Sequence, residues 1–175
     1  EAMASSYLSL RDDASLETIE QLHSTVVSLD SAPFYPLIID DSERVAAFFG
    51  SGLFDKYSNM KYAVMESGFG WLPFWAKRME DQVVYMGYVA ENLQRSMTQY
   101  MTDGRFFCSI VLHEGPEMVR MVSEILGDHI LMFGSDYPHA ESRFPVSVQT
   151  VDNWPLTDDV RRKLMWENAA RCFDL

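Results

Sequence analysis

The residues best placed to do chemistry follow three short apolar segments of the chain. The last segment leads into residues 134–139, Gly-Ser-Asp-Tyr-Pro-His, where Asp136 and His139 put a carboxylate and an imidazole close together. Metals of the zinc type accept Asp oxygen and His nitrogen as ligands, and an ionised carboxylate can take a proton from metal-bound water. A turn stabilised by Asp and Pro is the structural alternative. Residues 134–139 therefore predict either part of a metal site or a rigid turn.

Polar residues also follow the two earlier apolar segments. Glu66 opens the sequence Glu-Ser-Gly-Phe-Gly-Trp, in which two glycines allow a sharp turn or a close approach to a ligand. Its carboxylate is a candidate catalytic group, or a cap for the helix predicted to begin near Trp71. His113 is a candidate ligand or base, and a hydrogen-bonded structural role is the alternative.

The elements that must position these residues are short apolar strands alternating with longer helical stretches. Pro116 suits the first turn of one helix, and Gly127 suits its C-terminal cap. Repeated strand-helix units with nearly continuous apolar strands are typical of an α/β fold, in which a parallel sheet is covered on both faces and functional groups gather at the carboxyl ends of the strands. The predicted strands are 61–65, 105–112 and 129–133, and the predicted helices are 72–85, 116–126 and 157–173.

The N-terminal part of the chain has a different pattern. Residues 14–29 show the three- and four-residue spacing of an amphipathic helix, whereas 31–36 contain two prolines and predict an irregular connection. Asp41 or Ser42 then suits the N-cap of a further helix. Three parallel strands joined by helices would leave two edges of unpaired backbone groups, so a chain this apolar is expected to belong to something larger.

Charge and composition exclude several classes of partner. The net charge of −12 over 175 residues gives a surface that repels phosphate backbones and anionic lipid, so nucleic acid and membrane surfaces are not expected as partners. No apolar run approaches the length of about 18 residues that a membrane span requires. The two cysteines are far apart and suggest neither a disulfide framework nor a thiolate zinc site, which favours a cytoplasmic location.

Three segments resemble, in order and spacing, the C-terminal part of the amidohydrolase-related family. These are residues 66–75, then 133–139 with Glu141 and Pro145 following, then 167–173. The family includes aminocarboxymuconate-semialdehyde decarboxylase and other nonoxidative aromatic-acid decarboxylases, together with hydrolases. The resemblance extends from about residue 43 to residue 175. Residues 1–42 match no motif and are expected to form an irregular or helical arm, or an insertion after strand five.

The resemblance implies that the three strands are strands six to eight of a TIM-like (β/α)8 barrel. Asp136 then matches the aspartate that binds the catalytic metal and exchanges protons, with zinc favoured and manganese or iron as alternatives. Glu66 stands where decarboxylases commonly carry a histidine, and it would orient a base or bind metal-linked water. His139 would face substrate or support the metal ligands. Trp71 would wall the substrate pocket or lie in the core, and Asn168 would tie the closing helix to the barrel.

The family's remaining metal ligands have no counterpart in this chain. They are a His-x-His after strand one and a histidine after strand five, and no two histidines here have that spacing. A full barrel takes about 250 residues, so a second subunit or a missing segment is expected to complete it. The absence of Met at position 1 favours a truncated or processed chain.

The function expected from this resemblance is that of one half, or one subunit, of an oligomeric metal-dependent enzyme. Such an enzyme would hydrolyse or nonoxidatively decarboxylate a small aromatic or carboxylated substrate, and the chain would be active only with its complementary N-terminal half. One alternative is a noncatalytic half-barrel that stabilises or regulates a catalytic partner. A second alternative is an unrelated three-stranded α/β binding domain.

Overall fold

Three parallel strands alternate with helices in the computed structural model, which describes residues 37–85, 93–139 and 142–175. The elements are α1 (Leu37–Gly50), α2 (Leu53–Lys56), β1 (Tyr62–Val64), α3 (Leu72–Tyr85), α4 (Met97–Thr102), β2 (Phe106–Ser109), a 3-10 turn (Leu112–Glu114), α5 (Gly115–Leu126), β3 (Leu131–Met132), α6 (Ser147–Asp152), α7 (Asp158–Arg162), a π-helical segment (Lys163–Glu167) and α8 (Asn168–Phe173). The predicted α/β class is confirmed.

The strands form one sheet in the order β1-β2-β3, with both pairs parallel. Val64 of β1 lies opposite Cys108, and Cys108 lies opposite Leu131 of β3. All four residues of β2 are buried, as expected of a central strand covered on both faces. Because the strands are parallel, their carboxyl ends all lie at the same end of the sheet.

Most of the predicted elements are present, and local chemistry explains their limits. Helix α3 has the predicted bounds. Helix α5 has Pro116 in its first turn and ends at Leu126, followed by the C-cap Gly127, whose φ of 99° few other residues adopt. The Thr157 hydroxyl accepts a hydrogen bond from the Val160 amide at 3.3 Å and caps α7.

Some helix predictions were wrong or incomplete. Helix α1 begins at Leu37, so Asp41 lies inside it and neither Asp41 nor Ser42 is its N-cap. Helices α2, α4 and α6 were missed because four to six residues are too few to show a helical period.

An aromatic cluster packs the first helices against the central strand. Phe49 of α1 contacts Phe54 and Tyr100, with ring centroids 5.2 and 5.5 Å away, and it lies 5.8 Å from Phe106 at the start of β2. All four rings are nearly inaccessible to solvent. Truncating one such phenylalanine to alanine is expected to cost about 3–5 kcal/mol, so this cluster is a main support of the sheet.

The closing helical region, α7 to α8, is bonded to the outer side of β3. The Phe133 amide donates to the Leu164 carbonyl at 2.8 Å, within the π-helical segment. The buried Asn168 amide group donates to the carbonyls of Asp128 and Leu131 at 2.8 and 2.7 Å. The predicted tie through Asn168 is therefore present. No further strand pairs with β1 or β3 among the described residues, as predicted, although the closing region bonds the Phe133 amide and the Leu131 carbonyl on the β3 side.

Several predictions fall outside the described residues. They are the helix at 14–29, the irregular connection at 31–36 and the position of Glu141. The division into residues 1–42 and 43–175 stays a prediction. In the part of the chain that the structure describes, no helix combines the length and apolar character needed to cross a membrane.

Candidate functional site

The carboxyl ends of all three strands border one cavity of about 290 Å³. Its lining comes from residues 65–68 after β1, 109–114 at the end of β2 and beyond, 134–136 after β3, and Ser142. This is the edge of the sheet at which parallel α/β folds place their functional groups. The volume lies near the lower limit of ligand pockets, which are about 300–1,000 Å³.

Three of the predicted site residues come together at this edge. Glu66, Asp136 and His139 each offer a ligand atom, and these atoms lie within 4.8 Å of one another. Nδ1 of His139 is 2.8 Å from Oδ1 of Asp136, while Glu66 is brought alongside from β1, at the other side of the sheet. The grouping provides two carboxylates and one imidazole, a set of ligands that divalent metals accept.

The two carboxylate residues share an unusual backbone conformation. Glu66 has a φ of 63° and Asp136 a φ of 55°, both in the left-handed region. For a residue other than glycine this conformation costs roughly 1–2 kcal/mol. Strained residues persist where the surrounding structure enforces them, and they cluster at functional sites. The strain at both positions supports a functional role for the turns that contain Glu66 and Asp136.

Two side chains from the β2 segment hold the turn that contains Glu66. The buried Ser109 hydroxyl accepts a hydrogen bond from the Glu66 amide at 3.0 Å. The carboxylate of Glu114 accepts from the amides of Phe69 and Gly70 at 3.0 and 2.7 Å. Sequence reasoning gave no role to Ser109 or Glu114. A hydroxyl inside an otherwise apolar strand was the available signal for Ser109, whereas no spacing pattern indicates what Glu114 contacts.

The charge lining the cavity is predominantly negative. Glu66, Glu114 and Asp136 contribute three carboxylates, and none of the described lining residues is Lys or Arg. A cleft lined by one sign of charge attracts ions of the opposite sign. The cavity therefore favours a cation over an uncompensated anion.

The other predicted site residues occupy different positions. His113 is exposed and lines the cavity. Trp71 packs against the core, and its indole N–H donates to the carbonyls of Ser67 and Gly68 at 3.3 and 3.1 Å. It is not among the described residues that line the cavity, so its contact with substrate stays a prediction. In the structure Trp71 shapes the turn that follows Glu66.

Several solved structures that resemble this chain are aromatic-acid decarboxylases. The 5-carboxyvanillate decarboxylase LigW from Sphingomonas paucimobilis is 25% identical, with a TM-score of 0.66 over 78% of this chain and 40% of that one. A dihydroxybenzoic acid decarboxylase from Polaromonas sp. was solved with manganese and 2-nitroresorcinol. It is 18% identical, with a TM-score of 0.67 over 94% of this chain and 48% of that one. The 2,6-dihydroxybenzoate decarboxylase from Rhizobium is 16% identical, with a TM-score of 0.67 over 82% of this chain and 43% of that one.

The chain spans less than half the length of these three structures, between 40% and 48%. No curated protein sequence matches it. Residues 40–175, more than three quarters of the chain, match the Amidohydrolase family. The resemblance identified from residues 66–75, 133–139 and 167–173 is thereby confirmed, and the chain belongs to the amidohydrolase-related family.

Proposed function

We propose that this chain forms strands six to eight of an amidohydrolase-type (β/α)8 barrel and contributes part of the active site of a divalent-metal-dependent enzyme. The observation that carries the proposal is the convergence of Glu66, Asp136 and His139, whose ligand atoms lie within 4.8 Å of one another at the carboxyl ends of the strands. The sequential order of the three parallel strands also suits consecutive strands of such a barrel.

The side chains present fit a divalent cation. Two carboxylates and an imidazole are suitable ligands, and the described lining has no Lys or Arg to compete for the carboxylates. Manganese is the first ion to test, ahead of the zinc favoured from sequence, because carboxylate ligands suit it and a similar structure contains it. When bound, the ion would polarise a substrate oxygen or lower the pKa of a bound water.

The geometry suggests a distinct role for each side chain. Asp136 has Oδ1 within hydrogen-bond distance of Nδ1 of His139, which leaves Oδ2 for the metal. His139 would hold the Asp136 carboxylate in one orientation, as partners of metal ligands commonly do. Glu66 would serve as a second carboxylate ligand or accept a proton from bound water, because its turn places the carboxylate beside Asp136.

The proposed substrate is a small aromatic or carboxylated molecule. A substrate carboxylate would be repelled by Glu66, Glu114 and Asp136 unless a cation compensated it, which agrees with a metal-dependent reaction. Nonoxidative decarboxylation is the reaction to test first, because the three similar structures described above are decarboxylases of aromatic acids. Hydrolysis is the second candidate, because Glu66 is a carboxylate where decarboxylases commonly have a histidine and it could orient a water molecule.

A complementary part of the barrel would supply strands one to five and further metal ligands. Among the described residues no strand pairs with the outer edge of β1, and this edge is where strand five would add. Residues 1–42 would then form the arm or insertion after strand five, and 43–175 the barrel segment. On the other side, the closing region already bonds two backbone groups of the β3 segment, so strand one would have to pair elsewhere along that edge.

The proposal is tested with the completed enzyme, made from this chain together with its complementary part. Metal content is measured first, and then release of carbon dioxide from a panel of hydroxybenzoic acids and hydrolysis of matched esters and amides. We expect activity to disappear on chelation and to return with Mn²⁺. Full activity after complete metal removal would contradict the proposal. Activity carried by the complementary part alone would favour the noncatalytic half-barrel.

A further inference from the structure

We propose that Glu114 is a positioning residue, whose carboxylate holds the turn after β1 so that Glu66 stays beside Asp136. This role rests on the proposed metal site, which it deepens by identifying what keeps one of the candidate ligands in place. Glu114 lies at the end of the 3-10 turn that follows β2, and it is far from Glu66 in sequence. It would act through Glu66 and not through direct contact with the metal.

The contacts of Glu114 are directed at the far end of the turn. Its Oε2 accepts from the amides of Phe69 and Gly70 at 3.0 and 2.7 Å. Hydrogen bonds to an ionised carboxylate are about twice as strong as those between neutral groups. One ionised side chain therefore fixes two successive backbone amides, which is a strong local restraint.

The near end of the same turn is held by Ser109. This hydroxyl is only 3% exposed, and it accepts from the Glu66 amide at 3.0 Å. Gly68 lies between the two restrained ends, and glycine has more conformational freedom than any other residue. The turn therefore needs contacts from outside to hold it in one conformation. The turn is thus held at both ends by groups from the β2 segment, and Glu66, at its start, has a left-handed φ of 63°.

The space around Gly68 fits this arrangement closely. A Cβ atom built on Gly68 would lie 2.2 Å from Oε1 of Glu114, closer than real atoms approach. The φ of Gly68 is 69°, which most other residues avoid. Any larger residue at position 68 would have to displace the Glu114 carboxylate, so Gly68→Ala provides a second route to the same defect.

Glu114 is separate from the group of candidate ligands. The three ligand atoms that lie close together belong to Glu66, Asp136 and His139, and Glu114 is not one of that group. Its Oε2 is already engaged with two amides. A positioning role predicts that a neutral side chain with an oxygen in the same place can replace it, whereas a ligand or charge role predicts that it cannot.

The test compares Glu114→Ala, Glu114→Gln and Gly68→Ala with a control, Glu117→Ala. Glu117 is an exposed acid in the first turn of α5 that pairs only with Arg120 among the described contacts. Mn²⁺ affinity is measured by electron paramagnetic resonance, and exchange of the amides of residues 66–70 by NMR. The full chain is used with its complementary part present.

We expect Glu114→Ala and Gly68→Ala to weaken Mn²⁺ binding about tenfold and to raise exchange at residues 66–70 about tenfold. Glu114→Gln should stay within about threefold of wild type, because its amide oxygen can still accept from both backbone amides. Glu117→Ala should change neither quantity.

Three outcomes would overturn the positioning role. They are unchanged exchange in Glu114→Ala, raised exchange with wild-type Mn²⁺ affinity, and a Glu114→Gln variant as weak as Glu114→Ala. A wild-type protein that binds no Mn²⁺ would instead count against the proposed function. The positioning role would then be decided by the NMR signals of the Glu66 amide and carboxyl group in Glu114→Ala. Shifted signals would support the role, and unchanged signals would refute it.

Discussion

The amino-terminal and carboxyl-terminal ends of the three strands use charged side chains in opposite ways. At the amino-terminal edge the charges are paired: Arg95 bonds Asp55 and Asp103 at 3.0 and 2.8 Å, and Arg105 bonds Asp103 at 2.6 Å. Asp128, which precedes β3, pairs with Lys163 of the closing region at 2.9 Å. At the carboxyl edge, carboxylates line the cavity and no described lining residue is Lys or Arg.

The difference separates acids that stabilise the fold through ion pairs from acids that the proposed function assigns to metal binding. Burial raises the pKa of Asp55, but hydrogen bonds from Tyr100 and Arg95 outweigh it and lower the pKa overall. Glu66 and Asp136 have backbone strain and no Lys or Arg partner among the described ion pairs. In α/β barrels the amino-terminal face serves stability and the carboxyl face serves chemistry, and the contrast here follows that division.

The largest expected effect is on metal binding at the carboxyl edge. Asp136→Asn should weaken Mn²⁺ binding at least about 100-fold, because it removes the charge of the central ligand. The free energy of unfolding should change by less than about 0.5 kcal/mol, since no Lys or Arg pairs with Asp136 among the described ion pairs. Calorimetry and urea unfolding measure the two quantities, with Asp152→Asn as an exposed control. A variant with full metal content and full activity would remove Asp136 from the site.

The next effect is on stability at the start of β3. Asn168→Ala should lower the free energy of unfolding by about 2–3 kcal/mol, because two carbonyls, those of Asp128 and Leu131, lose their donor in a buried position. Mn²⁺ affinity should stay near that of wild type. Urea unfolding of this variant and of the exposed control Asn153→Ala gives the comparison. A loss no greater than that of the control would mean that Asn168 is not an important tie.

A smaller effect is expected from the ion-pair network. Asp55→Asn should cost about 1.5–2 kcal/mol at pH 7, because Asp55 accepts hydrogen bonds from Arg95 and Tyr100. Since its pKa is lower in the folded protein, its contribution is complete above the ordinary value of 3.8 and is lost as the pH falls through the lower, folded value.

Unfolding measured between pH 2 and pH 7 tests this dependence. The difference between wild type and Asp55→Asn should shrink at the acid end, whereas Asp81→Asn, at an exposed position of α3, should show no such trend. A difference that stays constant across this range would show that the ionised form of Asp55 does not contribute to stability.

The smallest expected effect has the opposite sign. Glu66→Gly should raise the free energy of unfolding by about 0.5–1 kcal/mol, because glycine adopts a φ of 63° without strain. Glu66→Ala is the matched control, since it removes the same carboxylate but keeps the Cβ atom. Both variants should weaken Mn²⁺ binding. If Glu66→Gly is no more stable than Glu66→Ala, the backbone at Glu66 does not store strain.

Much of the fold could be predicted because it depends on local patterns. Helix α3 spans the predicted residues, and the strands lie inside the predicted apolar runs, shortened at their ends where residues leave the sheet. The short helix α4 was missed, although Ser96 and Gln99 form a capping box at its start. Six residues are too few for a periodic signal, so packing against α3 and α5 decides its position.

The sequence by itself determined the α/β class, the family and the identity of the acids that follow the strands. Those depend on residue types in order along the chain, which Glu66, Asp136 and His139 already show. Only the tertiary structure decided that Glu66 lies beside Asp136 and that Glu114 bonds the turn that follows Glu66. Contacts between groups 44 or more residues apart depend on strand order and register, and neither can be obtained from spacing alone.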